Sequence, residues 1–153
     1  IGNFEQHEMD INNQIVELKC NIDDMTAESI GYASELLRSN GAVEVFTVPA
    51  QTKKNRPSHL LVCLCKTHDE SNIAHLILKN TTTFGIRRAV KDRYTLSRYF
   101  NTLETRYGTV RIKHGEGYGI SKYKPEYEDI ASIAQKSGIP LSDIYDEIIK
   151  TLH

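Results

Sequence analysis

The sequence predicts an α+β fold in two lobes, on three observations. Apolar periods along residues 14–91 run in the order strand, helix, strand, strand, helix, strand. That βαββαβ order is the ferredoxin-like pattern, in which the first and second strands are parallel and the third is inserted between them. Three polar clusters, at residues 21–25, 53–57 and 81–87, fall in the connections that this topology gathers at one edge of the sheet. After residue 92 the period changes to longer alternating strands about Tyr107-Gly108, then to two helical patterns, which predicts a smaller α+β lobe with a β-hairpin and C-terminal helices. The expected division is a leader over 1–12, a ferredoxin-like lobe over 13–92 and a C-terminal lobe over 93–153 packed on it.

Each element has a local cause. Residues 1–12 are polar and lack an apolar period, which predicts a loose leader. From Gln14 to Cys20 the residues alternate, with Leu18 and Cys20 continuing one face of a first strand. A helix is expected from Thr26 to Arg38: Thr26 can cap it, Ile30, Ala33, Leu36 and Leu37 make its apolar stripe, and Gly41 can end it in a left-handed turn. Residues 42–51 and 58–66 read as a second and third strand around a basic loop containing Pro57. Ile73, Leu76 and Ile77 give residues 71–79 a helical stripe, and residues 84–91 read as a fourth strand. Beyond them, strands over 94–106 and 109–114 are joined at Tyr107-Gly108, and the stretch from His114 to Gly119 reads as a flexible turn before a short strand over 120–123. No G-K-[ST] follows those glycines and no helix opens there, so they are no phosphate loop. Pro125 is expected to open a helix with Glu126, Glu128 and Asp129 in its first turn, Gly138-Ile139-Pro140 to end it, and residues 143–152 to form the last helix.

Composition narrows the function. At 153 residues with 39% hydrophobic and 25% charged residues, the chain suits one domain with a sizeable core, or a domain with an added lobe. A formal net charge of -1 offers no general attraction for nucleic acid, so polyphosphate would have to be met by local clusters of Lys and Arg. No stretch reaches the roughly 20 apolar residues of a membrane span, and the polar, acidic residues 1–10 are unlike a signal peptide; a cytoplasmic protein is expected. Ile1 in place of an initiator Met fits a fragment or a processed product. Three cysteines, an odd and small set, argue against a disulfide framework. Cys63 and Cys65 share one strand face and read as small buried hydrophobes rather than metal ligands, because no C-x-x-C or clustered His accompanies them.

Chemistry concentrates in the three gathered clusters. Asp23 and Asp24 are hard oxygen donors of the kind magnesium or manganese prefers, alongside water and substrate phosphates, though acids before a helix can equally serve to cap it. Lys53, Lys54, Asn55, Arg56 and Pro57 make a compact positive loop able to hold a triphosphate, Arg56 with paired hydrogen bonds; the alternative is a solvated hairpin tip. In the third cluster Thr82, Thr83 and Arg87 could bind phosphate or ribose and Gly85 would admit close approach, while threonines are also common where strands begin. The six histidines show no metal-ligand spacing, and no nucleophile elbow appears.

At these residues the chain resembles a known family, the C-terminal domain of the nickel-insertion protein that completes the nickel-pincer cofactor of lactate racemase. The resemblance rests on five ordered blocks: Asn21-Ile22-Asp23-Asp24-Met25-Thr26, Lys53-Lys54-Asn55-Arg56-Pro57, Thr81-Thr82-Thr83-Phe84-Gly85-Ile86-Arg87, Tyr107-Gly108-Thr109-Val110-Arg111 and Lys124-Pro125-Glu126-Tyr127-Glu128-Asp129. It implies a CTP-dependent nickel chelatase that uses a manganese- or magnesium-bound nucleotide. CTP is split to CMP and pyrophosphate while Ni2+ enters a pyridinium bis-thiocarboxylate mononucleotide. It also implies a homo-oligomer whose partners are the nucleotide and the cofactor precursor, with neither nucleic acid nor membrane. On this reading Lys53, Lys54, Asn55, Arg56, Thr82, Thr83 and Arg87 bind the nucleotide, Lys54 and Arg56 act in catalysis, and Asp23 and Asp24 hold the metal. Departures are Ser58 for the usual Gly, Thr52 where Met is common and Asn80 where an acid often precedes the threonines, which puts the loop's backbone shape in question more than its charges. The rival reading is a non-catalytic ligand-binding or oligomerisation module of the same fold. An RNA-binding domain is disfavoured, since the central strands lack the aromatic pattern that stacks bases.

Overall fold

A computed structural model describes residues 13–153, and the leader expected over 1–12 lies outside them. The described residues form two compact units, one ending at Arg93 and one comprising Tyr94–His153. No helix among them is long and apolar enough to cross a membrane.

In the first unit β1 (Ile15–Ile22), α1 (Ala27–Ser39), β2 (Glu44–Gln51), β3 (Pro57–Cys65), α2 (Glu70–Asn80) and β4 (Arg87–Lys91) follow the predicted order. Their sheet runs β2-β3-β1-β4 with every neighbouring pair antiparallel, which is the ferredoxin-like arrangement. Alternation builds the core: Val16, Leu18, Cys20 and Ile22 share a face with Cys65, Cys63, Leu61 and His59, their partners on β3. Onto that face α1 packs Ile30 and Leu37, and α2 packs Ile73 and Ile77. All three cysteines are buried there and free. Burial pushes the Cys63 thiol up to about 12 and the Cys65 thiol up to about 11, so both stay protonated at neutral pH, as small hydrophobes rather than thiolate ligands.

Helix α1 begins as its sequence dictates. Thr26 takes extended dihedrals and accepts a hydrogen bond from the Ser29 N–H at 3.1 Å, a cap worth about 1 kcal/mol. At the far end Gly41 stands at φ 103, the left-handed region expected of it. Pro49 sits in β2, an edge strand, where a missing N–H costs least. The fourth strand is shorter than predicted. It starts at Arg87 rather than residue 84, because the threonine hydroxyls bond locally and hold residues 81–86 in a loop.

The second unit is a three-stranded antiparallel sheet, β5 (Ser97–Thr105), β6 (Gly108–Gly117) and β7 (Ile120–Pro125), followed by α3 (Tyr127–Ser137) and α4 (Leu141–Leu152). Val110 and Ile112 of β6 bury against Ile130 of α3 and Ile144 and Ile148 of α4. Two expectations need correction. The stretch over residues 114–117 is strand, with residues 114–116 paired on both sides with β5 and β7 and Gly117 paired with Ile120 of β7, and the turn is confined to Tyr118-Gly119, both at positive φ. Glycine spacing alone signalled a turn, yet two flanking strands supply partners that override it. Pro125 ends β7 rather than opening a helix, and Glu126 stands at the cap position of α3.

The fourth and fifth blocks meet in this unit through one carboxylate. Asp129 accepts from the Arg111 backbone N–H at 2.9 Å, from Arg111 Nε at 2.9 Å and from Nη2 at 3.0 Å, and the Glu126 N–H donates to the Arg111 carbonyl at 2.9 Å. This anchors the start of α3 to β6. The Arg111 side chain holds the Asp129 carboxyl below its ordinary range, the side-chain hydrogen bond contributing most. Because the folded pKa is depressed, the stabilisation is complete above the unfolded value of about 3.9 and is lost as pH falls through the lower, folded one. Asp129→Asn is therefore expected to lower the melting temperature at pH 7, with the gap from the parent closing below about pH 4. Thermal melts across that range test it, and a gap that persists in acid would deny the carboxylate this role.

Candidate functional site

One end of the first unit's sheet collects all the polar clusters predicted to bear chemistry. β1 leaves the sheet at Ile22, opposite His59, so Asp23 and Asp24 follow immediately beside the base of the β2-β3 turn. Both aspartates are exposed, and the α1 cap is Thr26, three and two positions further on. Capping, the structural alternative for the acid pair, is thus supplied by another residue. Asp24 instead accepts a short hydrogen bond from the Thr82 hydroxyl, which ties the end of β1 to the loop before β4.

The three threonines divide their work. Thr81 Oγ1 donates to the Ile77 carbonyl at 2.7 Å and closes the end of α2; Thr82 reaches Asp24; Thr83 Oγ1 donates to the Gly85 carbonyl at 2.9 Å and folds the turn. A Cβ added at Gly85 would meet nothing within 4 Å, so the backbone there faces open space. Phe84 is fully exposed beside it. Arg87, the first residue of β4, lies opposite Lys19 on the face turned away from the helices. Burial raises the Cys20 thiol, an effect opposed by the nearby Thr83 hydroxyl and the Arg87 charge. This proximity of Cys20 to the cluster escaped sequence reasoning, since alternation marks it only as core.

The basic loop is the most constrained part of the site. Lys53–Asn55 form a single 3-10 turn closed by Thr52 N–H to the Arg56 carbonyl at 2.9 Å, and within it Lys54 (φ 61) and Asn55 (φ 57) both take left-handed backbone conformations. For Asn this is common; for Lys it costs about 1 kcal/mol or more. Lys53, Lys54, Asn55 and Arg56 are exposed, and no ion pair among the described residues engages Lys53, Lys54, Arg56 or Arg87. Elsewhere Arg38, Arg88, Arg106 and Arg111 each hold a carboxylate. The substitution at Ser58 leaves the turn unstrained at that position, because the left-handed residues are Lys54 and Asn55; the Ser58 hydroxyl is buried without a hydrogen-bond partner. No hydrogen bond or ion pair among the described residues joins the basic turn to the acid pair. The two face a common end of the sheet as separate positive and negative groups.

A groove of about 460 Å³ continues from this end between α1 and the edge strand β2. Ala27, Gly31, Glu35 and Arg38 line it from the helix, Thr47 and His59 from the sheet. Arg38 donates to Glu35 and, through Nη2, to the Val45 carbonyl at 2.8 Å.

A divalent cation can be tested against these donors. Among the described residues no group of three His, Cys, Asp or Glu could hold a metal ion by itself. Two carboxylates with open neighbouring space match the habit of Mg2+ and Mn2+, which take one or two protein oxygens and fill the remaining positions with phosphate and water.

Comparison with known proteins follows the same lines. The family model described as "Nickel insertion protein" matches residues 3–145. The pyridinium-3,5-bisthiocarboxylic acid mononucleotide nickel insertion protein of Acetivibrio thermocellus is 40% identical over 152 residues, 99% of this chain and 37% of that protein. The protein of the same description from Staphylococcus epidermidis is 38% identical over 149 residues, 97% of this chain and 38% of its own length. The chain thus spans little more than a third of these relatives. Among solved structures it is similar to "LarC2, the C-terminal domain of a cyclometallase involved in the synthesis of the NPN cofactor of lactate racemase, apo form", with TM-score 0.86 and 36% identity, covering 91% of this chain and 96% of that one. A protein from Methanopyrus kandleri, MK0293, aligns with TM-score 0.65 and 26% identity over 86% of this chain and 82% of its own.

Proposed function

The chain belongs to the nickel insertion protein family, and from that premise we propose that it is the CTP-binding domain of a nickel chelatase. The full enzyme inserts Ni2+ into a pyridinium bis-thiocarboxylate mononucleotide and splits CTP, consuming water, to CMP and pyrophosphate. The observation that carries the reading is a set of four cations, Lys53, Lys54, Arg56 and Arg87, that have no carboxylate partner among the described residues, at the sheet end bearing Asp23 and Asp24. A triphosphate supplies the missing anions. Arg56 and Lys54 neutralise the departing pyrophosphate, while Lys53, Asn55 and Arg87 orient the chain of phosphates. Thr82 and Thr83 set the wall beside it through the bonds already described. Asp23 and Asp24 would hold Mg2+ or Mn2+, whose chemistry is to neutralise charge developing on phosphate oxygens.

A homo-oligomer is part of the proposal. Phe46 opposite Val62 and Val48 opposite Leu60 form an apolar strip on the sheet face away from the helices, and Phe46 and Val48 are each 42% exposed. The same strip favours the rival reading of a ligand-binding assembly module without catalysis. Incubation with each nucleoside triphosphate and manganese, followed by assay for monophosphate and pyrophosphate, separates the two. CTP is expected to bind and to yield CMP; CTP binding without products favours the module, and no binding at all overturns the nucleotide reading.

A further inference from the structure

The sheet of the second unit carries charge that the nucleotide reading does not use. Val110 and Ile112 mark the face on which α3 and α4 pack. Alternation sends Arg98 and Phe100 of β5, Lys113 of β6 and Ile120, Lys122 and Lys124 of β7 to the opposite face. Register fixes their layout: Phe100, Lys113 and Lys124 stand opposite one another in one cross-strand row, and Arg98, Gly115 and Lys122 in the next. With strands about 4.8 Å apart and a rise of about 3.4 Å per residue, the four cations and Phe100 spring from a patch of roughly 10 by 7 Å.

This arrangement works against the fold. Lys113 directly opposes Lys124, and like charges so placed destabilise a sheet. No ion pair among the described residues engages Arg98, Lys113, Lys122 or Lys124. Glu104, the acid on this face of the strands, lies at the far end, where it accepts from the Thr109 hydroxyl at 2.8 Å. Between the cations the surface is apolar. Leu96 lies so close over Gly115 that a Cβ there would stand 3.2 Å from its side chain. Phe100 is 52% exposed and Ile120 45%. An apolar floor with a cationic rim and no counter-charge complements a flat, apolar body that brings its own anions. The precursor invoked above has that constitution: the relatives' name specifies a pyridinium ring with acid groups at positions 3 and 5, in a mononucleotide. Its planar cationic ring can stack on Phe100, with the added attraction of a cation for an aromatic face. The acid groups then meet Lys113 and Lys124, and the phosphate meets Arg98 and Lys122.

We propose that the face of β5-β6-β7 turned away from α3 and α4 is a binding site for the acidic pyridinium precursor, stacked on Phe100 and held by Arg98, Lys113, Lys122 and Lys124. The inference rests on the precursor part of the reading above and is independent of where CTP binds. Calorimetric titration of the 153-residue chain with pyridinium-3,5-dicarboxylate mononucleotide, the oxygen analogue, tests it, with ribose 5-phosphate as control. The analogue is expected to bind about tenfold or more tighter than ribose 5-phosphate. Lys113→Gln with Lys124→Gln is expected to weaken the analogue about tenfold, with a melting temperature no lower than the parent's because an opposed like-charge pair is gone. Phe100→Leu is expected to weaken it about threefold or more and Phe100→Tyr to restore it. CTP affinity is expected to stay within about twofold throughout. Analogue affinity unchanged in the lysine double variant overturns this site and leaves the precursor reading standing. A parent that binds CTP but not the analogue overturns it as well, by removing precursor recognition from this chain. If the double variant loses affinity for a single-stranded oligonucleotide and keeps it for the analogue, the face belongs to nucleic acid and the inference falls. A parent that binds neither CTP nor the analogue overturns the functional reading and this inference together.

Discussion

Replacing Lys54 and Arg56 together by alanine is expected to weaken CTP at least about a hundredfold in a calorimetric titration while the melting curve stays where it was. Each side chain would surrender a charge-assisted hydrogen bond to phosphate, worth about 1.5–3 kcal/mol, or roughly ten- to a hundredfold in affinity per residue. Both groups are exposed, which favours the lower half of that range. Stability is unaffected because neither side chain has an ion-pair partner among the described residues to lose. Lys54→Gly sharpens the test. Lys54 sits at φ 61, where glycine is at no disadvantage, so this variant should melt no lower than the parent and yet bind CTP about tenfold or more weakly. A left-handed lysine in a turn with no buried side chain is strain that the fold does not require. It is explained if the turn presents ammonium and guanidinium groups to one ligand. Undiminished binding in the double variant would remove the basic turn from the site altogether.

The sequence-based reading and the structure agree where two signals coincide and part where one stood alone. In β1 the period-two pattern of Leu18 and Cys20 is reinforced by the Thr26 cap that follows, and strand and helix lie where expected. The ferredoxin-like order needs no more than the identities of six elements, so shifts of a few residues in β4 do not disturb it. The glycines at 115, 117 and 119 carried one signal, backbone freedom, and strand pairing outweighed it at the first two, with β5 and β7 at Gly115 and with β7 at Gly117. Acids at 126, 128 and 129 read as helix-start charges, and only the contact with Arg111, eighteen residues earlier, assigns Asp129 to holding α3 on β6. The groove was not legible. Gly31, Glu35, Thr47 and His59 come from three elements with no shared spacing, and they become neighbours through packing alone.

The acid pair should separate metal-dependent from metal-independent binding. Asp23→Asn with Asp24→Asn is expected to remove most of the gain that manganese gives to CTP affinity, about tenfold or more, and to leave the weaker affinity measured without metal close to that of the parent. Two alternatives predict otherwise. If the aspartates served α1, the double change would lower its stability, but Thr26 already makes the capping bond, and aspartates beyond the first turn feel little of the helix dipole. If they merely repelled phosphate, neutralising them would raise affinity with and without metal alike. Thr82→Val refines the assignment, since among the described residues its hydroxyl is the side-chain donor bound to Asp24. Losing that bond frees the carboxylate to move, so the manganese dependence should shift while binding to the basic turn does not. Equal CTP affinity with and without manganese in the parent would leave Asp23 and Asp24 no metal to hold, and the site would then be a cationic phosphate cradle with an acidic rim.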